Sequence, residues 1–188
     1  MELFVLGEGA YDEKTVKEAA RALTGHGFNR VREFEFEVKP WRQDKGKKTL
    51  FGKRGNFDGD ALVDILFEQP EAARFLTEKM WRYFVSEIYI DAAEIDRISG
   101  VFRASDYEIP VLLSELFSSP LFWEEHVRAT IVKSPVDLVV GTIRSTGFLP
   151  TDWQRIPSVL ANLGQNLFEP PNVAGWPGAE AWVTPGNL

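Results

Sequence analysis

Between Asp60 and Leu163 the chain repeats one device: a residue that caps a helix, often with proline next, then apolar side chains three and four positions apart. The cap accepts a first-turn N–H, proline fits there because it has no N–H to leave unpaired, and the spacing gathers the apolar groups on one face. Asp60 reads as the cap of Ala61–Glu68, with Leu62, Ile65 and Leu66 inward. Gln69-Pro70 starts a long helix with a stripe of Ala72, Leu76, Met80, Tyr83 and Phe84, and Trp81 sits at core-like spacing. Asp91 opens a helix that buries Ile95, Ile98 and Phe102, and Asp106 precedes one carrying Ile109, Leu112, Leu113 and Leu116. Ser119-Pro120 and Ser134-Pro135 repeat the start, with Val136, Val139, Val140 and Ile143 after the second. Thr151 begins the last helix, through Ile156, Leu160 and Leu163. So many one-sided helices must cover each other's apolar faces, which predicts a mainly α, helical bundle-like domain.

Upstream, Asp12 caps a helix striped by Val16, Ala19, Ala20 and Leu23, and Gly25 ends it. The period then changes to two. Phe34, Phe36 and Val38 alternate with Glu33, Glu35 and Glu37, the mark of a half-buried strand. Lys48-Thr49-Leu50-Phe51 fits a partner strand, with Asp44-Lys45-Gly46 as the turn, so one small β-hairpin is expected near residues 31–52. Proline and glycine crowd residues 168–188, which reads as an irregular tail of a single domain over 1–188. The string Leu-Phe-x-x-Pro recurs at Leu66, Leu116 and Leu167; its flanks lose register, and a helix end followed by a proline start explains it better than a repeat.

The net charge of −7 is uneven. Lys39–Arg54 holds seven basic residues against Asp44 alone, a local +6 beside −13 in the remainder. Such a segment either docks on the protein's own acidic surface or meets an anionic ligand. The overall sign opposes nucleic acid. No apolar run is long enough to span a bilayer, and Met1–Leu6 lacks the basic start of a signal peptide. There is no cysteine, and His26 and His126 are the only histidines, without the spacing of a zinc site, so no metal and no cofactor is expected.

Two constellations remain. Asn56, Asp58, Asp60 and Asp64 alternate like oxygen ligands, but Ala61 and Phe67 stand where a calcium loop needs glycine and glutamate. Helix capping accounts for the run, and an acid–base pair of Asp58 and Asp60, with Asp44 nearby, is the competing reading. Trp41, Trp176 and Trp182 fall in predicted loops, where an indole either stacks on a sugar or partner, or tucks onto the core.

These strings carry a resemblance. Val16–Gly25, Lys48-Thr49-Leu50-Phe51-Gly52, Gly55-Asn56-Phe57-Asp58-Gly59-Asp60, Lys79–Val85, Lys133–Gly141 and above all Pro170-Pro171-Asn172-Val173-Ala174-Gly175-Trp176-Pro177-Gly178 resemble the C-terminal part of a bacterial family, domain of unknown function 1800. Gln43 stands where the family usually has histidine, and His26 where it tends to have tryptophan. The resemblance implies that the chain is the C-terminal portion of a longer family domain and is exported or periplasmic; it implies no activity. The expectation is an extracytoplasmic module that binds a glycan-like polymer or partner protein through Trp41, Lys48, Asn172 and Trp176. The alternatives are a polysaccharide hydrolase using Asp58, Asp60 and Asp44, and a structural half-domain that self-associates as a homo-oligomer.

Overall fold

A computed structural model describes residues 1–29 and 35–183, and most helices begin where capping chemistry places them. Asp12 accepts the Thr15 N–H at 2.7 Å and opens α1 (Glu13–Ala22). Asp91 accepts the Glu94 N–H at 2.8 Å ahead of α4 (Ala92–Ala104), and Ser134 accepts the Asp137 N–H at 3.2 Å ahead of α6 (Pro135–Thr146). The strands are β1 (His26–Asn29), β2 (Glu35–Val38), β3 (Lys48–Leu50) and β4 (Lys53–Gly55). The remaining helices are α2 (Gly59–Glu68), α3 (Pro70–Phe84), α5 (Ile109–Ser118), α6 (Pro135–Thr146) and α7 (Ile156–Asn162). The protein is mainly α, and the described residues hold two short antiparallel strand pairs. Among the described residues no helix is long and apolar enough to cross a membrane.

The pairing of the strands differs from the expected hairpin. β2 pairs with β1, in the register Phe28↔Phe36, and β3 pairs with β4, in the register Leu50↔Lys53. Phe51 and Gly52 join β3 to β4 with φ of 47° and 80°, the two left-handed residues of a tight hairpin turn. A phenylalanine at the first of these positions hides the turn from composition-based reading, and Asp44-Lys45-Gly46 forms a side-chain-closed turn outside either strand pair. The expected strand residues Glu33 and Phe34 lie outside the described residues.

Contacts divide the chain into two compact units, Met1–Thr77 with Ser99–Ile109, and Glu78–Ile98 with Pro110–Leu188. In the first, Leu6, Ala19, Ala22, Leu50, Leu62, Ile65, Leu66 and Ala72 form a buried cluster. Tyr107 packs against it, and its hydroxyl donates to the Phe67 carbonyl at 2.5 Å. Helix α1 turns a different face inward from the one its apolar residues suggest: Ala19 and Ala22 are buried, whereas Val16 and Leu23 are exposed. Polar bonds from Glu18 and Arg21 to the β3 segment fix this rotation, and the small alanines let the helix come close.

In the second unit Trp81, Ile95, Ile98, Leu112, Leu116 and Leu160 are all almost fully buried. Trp81 donates its indole N–H to the Tyr89 carbonyl at 2.8 Å, which sets the inward side of the end of α3. Tyr83, two positions on, therefore faces solvent at 72% exposure rather than the core. Val140 of α6 is likewise exposed, while Val136, Val139 and Ile143 are half-buried. Ser119-Pro120 starts only a short 3-10 turn, Pro120–Trp123, without a side-chain cap.

Candidate functional site

The strings that carry the family resemblance in the first unit converge on one loop, residues 39–49. Thr24, just past α1, donates its hydroxyl to the Arg21 carbonyl at 2.7 Å and accepts the Asp44 N–H at 2.7 Å. Gly25 has φ +87°, and a Cβ there would lie 2.5 Å from Gln43 Cγ and 2.9 Å from the Lys39 carbonyl oxygen, so only glycine lets the loop seat. The Asp44 carboxylate accepts the Gly46 N–H at 2.7 Å, bending the loop as an Asx turn. It also accepts a bidentate pair from Arg21, from Nε at 2.7 Å and Nη2 at 3.2 Å. Arg21 holds Glu18 at 2.9 Å, and Glu18 in turn accepts the Thr49 N–H at 2.9 Å. The Arg21 hydrogen bonds, helped by the Gly46 N–H, hold the Asp44 carboxyl down at about 2. Bonding to Asp44 and Glu18 raises Arg21, and the Thr49 N–H followed by Arg21 lowers Glu18.

Lys48 lies beneath this loop at 1% exposure. Its ammonium donates to the carbonyls of Asp44 at 2.6 Å and Gly46 at 3.1 Å and to Asn56 Oδ1 at 3.3 Å. Three donors meet three acceptors, so Lys48 ties the loop to the 55–58 segment from inside, with its buried head group fully engaged. Above it Gln43, Asp44, Lys45, Asn56, Phe57 and Asp58 line a cavity of about 140 Å³. Pockets that enclose a small molecule run to about 300–1,000 Å³, so a ligand would lie over this one rather than inside it. Trp41, two residues before Gln43, is 79% exposed on the 3-10 turn Pro40–Arg42.

Of the three candidate carboxylates, Asp44 and Asp58 line this cavity and Asp60 does not. The cap of α2 is Asp58, whose Oδ1 accepts the Ala61 N–H at 3.0 Å. The expected cap, Asp60, is an exposed residue of the first turn, because α2 begins two residues earlier than Ala61. Among the described residues no group of three His, Asp or Glu is placed to hold a metal ion. His26 meets the edge of Phe36 with ring centroids 5.5 Å apart.

The other two candidates belong to the second unit. Asn172 Oδ1 accepts the Ala174 N–H at 2.8 Å and its carbonyl accepts the Gly175 N–H at 3.1 Å, closing the string into a local turn. Trp176 is half-buried. Neither lines either of two cavities among the described residues of this unit. One, of about 400 Å³, is walled by Ile131, Pro135, Leu138, Leu163 and Trp182 with Lys133 beside them. The other, of about 390 Å³, lies among Trp81, Tyr89, Asp91 and His126.

Sequence reasoning missed Arg21, which organises the whole loop. Its one sequence signal is Glu18 three residues before it on a helix, a spacing too common to single it out. Gln43, noted only as a departure from histidine, turns out to line the cavity.

No curated protein and no solved structure matches the chain. The model of the family described as "Protein of unknown function (DUF1800)" matches residues 1–188, the whole chain, and the chain belongs to that family.

Proposed function

We propose that the chain is a non-catalytic, extracytoplasmic module whose first unit binds a glycan-like polymer through Trp41 and the loop after it, which lines the Gln43–Asp58 cavity. The carrying observation is Trp41, a large indole left 79% exposed on a loop that Arg21 and Lys48 otherwise lock in place. An exposed indole stacks on the apolar face of a sugar ring, and the amides of Gln43 and Asn56 suit its hydroxyls. A loop already fixed by internal bonds loses little entropy on binding. Binding is favoured over hydrolysis because Asp44, held at about 2 by Arg21, is far from the near-neutral pKa that suits proton transfer, and Asp58 is engaged as a cap.

The test is binding to soluble glucans, xylans and mannans, with Trp41→Ala expected to weaken it about tenfold or more, the scale of one lost stacking contact. Wild-type affinity in that variant, or no soluble polysaccharide, neutral or acidic, bound at all, refutes the reading. Release of reducing ends that Asp58→Asn or Asp60→Asn abolishes would replace it with hydrolysis, and capture of a protein instead of a polymer would replace it with a protein partner. Trp176→Ala tests the second-unit candidates in the same assay. Extracytoplasmic placement belongs to the same proposal, and cell fractionation that finds the protein in the cytoplasm would remove it.

Self-association is a second reading, favoured by the β1–β2 pair. Phe28 and Phe36 face each other across the strands at 62% and 63% exposure, with Val38 on the same side. A two-stranded hairpin gains little stability while its apolar face is wet. Light scattering is expected to give a dimer or larger that Phe36→Ser converts to monomer; a clean monomer mass in the wild type at high concentration refutes it.

A further inference from the structure

We infer that the polymer recognised by the first unit is acidic, its negative groups meeting four cations that the fold leaves unused: Arg42, Lys45, Lys47 and Arg54. This rests on the glycan-binding reading above. The basic segment Lys39–Arg54 holds seven cations, and the structure divides them. Lys39 pairs with Glu37 at 2.8 Å, Lys53 pairs with Glu68, and Lys48 is consumed inside the loop. The other four are exposed and form no ion pair among the described residues.

Their placement follows from the local fold. Arg42 ends the turn that displays Trp41, and Lys45 lines the cavity. Arg54 sits opposite Thr49, which alternates with the buried Lys48 and Leu50, so Arg54 lies on the outer face of the β3–β4 pair. The segment's own acid, Asp44, shares Arg21 with Glu18, so that pair of carboxylates and Asp58 at the cavity are the opposing charges nearby. Exposed cations with no acidic partner draw in an anionic chain.

Dextran, carboxymethyl-dextran and dextran sulfate share one backbone and differ in charge, so titration of each at 50 and 200 mM salt isolates the effect. Polyglutamate supplies a polyanion without sugar. The acidic dextrans are expected to bind at least about tenfold tighter than dextran at low salt. They should lose about ten- to fiftyfold at high salt, the counterion-release loss for up to four contacts. Arg42→Gln/Lys45→Gln/Lys47→Gln/Arg54→Gln is expected to remove both the preference and the salt dependence, with an unchanged melting curve; Lys45→Gln/Arg54→Gln, a milder change, should remove part of each. Equal binding of dextran and its acidic forms overturns the inference and leaves the glycan reading standing. A preference that survives the quadruple substitution also overturns it, as does polyglutamate binding as tightly as the acidic dextrans and indifferent to Trp41→Ala. If no dextran and no neutral glycan binds, the glycan reading fails and the inference with it.

Discussion

Replacing Lys48 with methionine tests whether the loop is held from within. Methionine keeps much of the apolar stem and removes only the ammonium, so the change isolates three hydrogen bonds. The bond to the Asp44 carbonyl, at 2.6 Å, is short and charge-assisted, and the one to Asn56, at 3.3 Å, is long. A hydrogen bond to a charged group contributes about 1.5–3 kcal/mol net, and an acceptor left dry costs about 1–3 kcal/mol. The Gly46 carbonyl belongs to an exposed residue and regains water, and Asn56 is also exposed, whereas Asp44 is half-buried. One strong bond lost and one carbonyl partly dry give about 2–3 kcal/mol, since part of the ammonium's own desolvation is recovered on its removal. That corresponds to a Tm lower by about 4–12 °C in a chain of this size. Amide hydrogen exchange supplies the local readout, because loss of the tether should speed exchange at Asp44, Gly46 and Thr49, whose N–H groups lie in the network. Lys47→Met, one residue away and exposed, is the control and should change stability by less than about 0.5 kcal/mol. Equal stability and equal exchange in the two variants would refute the claim that Lys48 organises the loop.

Asp58→Ala should cost about 1 kcal/mol and Asp58→Asn little, because asparagine caps about as well, while Asp60→Ala should be near neutral in urea unfolding. A larger loss at Asp60 than at Asp58 would mean that the helix starts elsewhere. The Asp44 carboxyl is depressed from an ordinary value near 3.8 to about 2, so its contribution is complete above about pH 4 and is lost as pH falls through 2. The gap in urea midpoint between wild type and Asp44→Asn should therefore be constant from pH 7 to about pH 5 and close between about 4 and 2. A gap that closes already near pH 5, or persists unchanged at pH 2, contradicts the Arg21 clamp.

Helices were legible because their information is local. Asp12, Asp91 and Ser134 lie next to the N–H groups they cap, and the spacing of Leu62, Ile65 and Leu66 is itself the face that is buried. By itself the sequence determined the mainly α class, most helix starts, the family and the concentration of positive charge between Lys39 and Arg54. The tertiary structure decided strand partners, because Phe34–Val38 and Lys48–Phe51 alternate equally well whichever strand they meet, and register depends on a turn at Phe51-Gly52 that composition disguises. It also decided which charges are spent. Lys47 and Lys48 are neighbours of the same type, yet one lies in solvent and the other is enclosed by two carbonyls and an amide contributed by segments up to eight residues away. A strand sends adjacent side chains to opposite faces, and only the packed partner on one face determines which lysine becomes an internal tie and which stays free to bind.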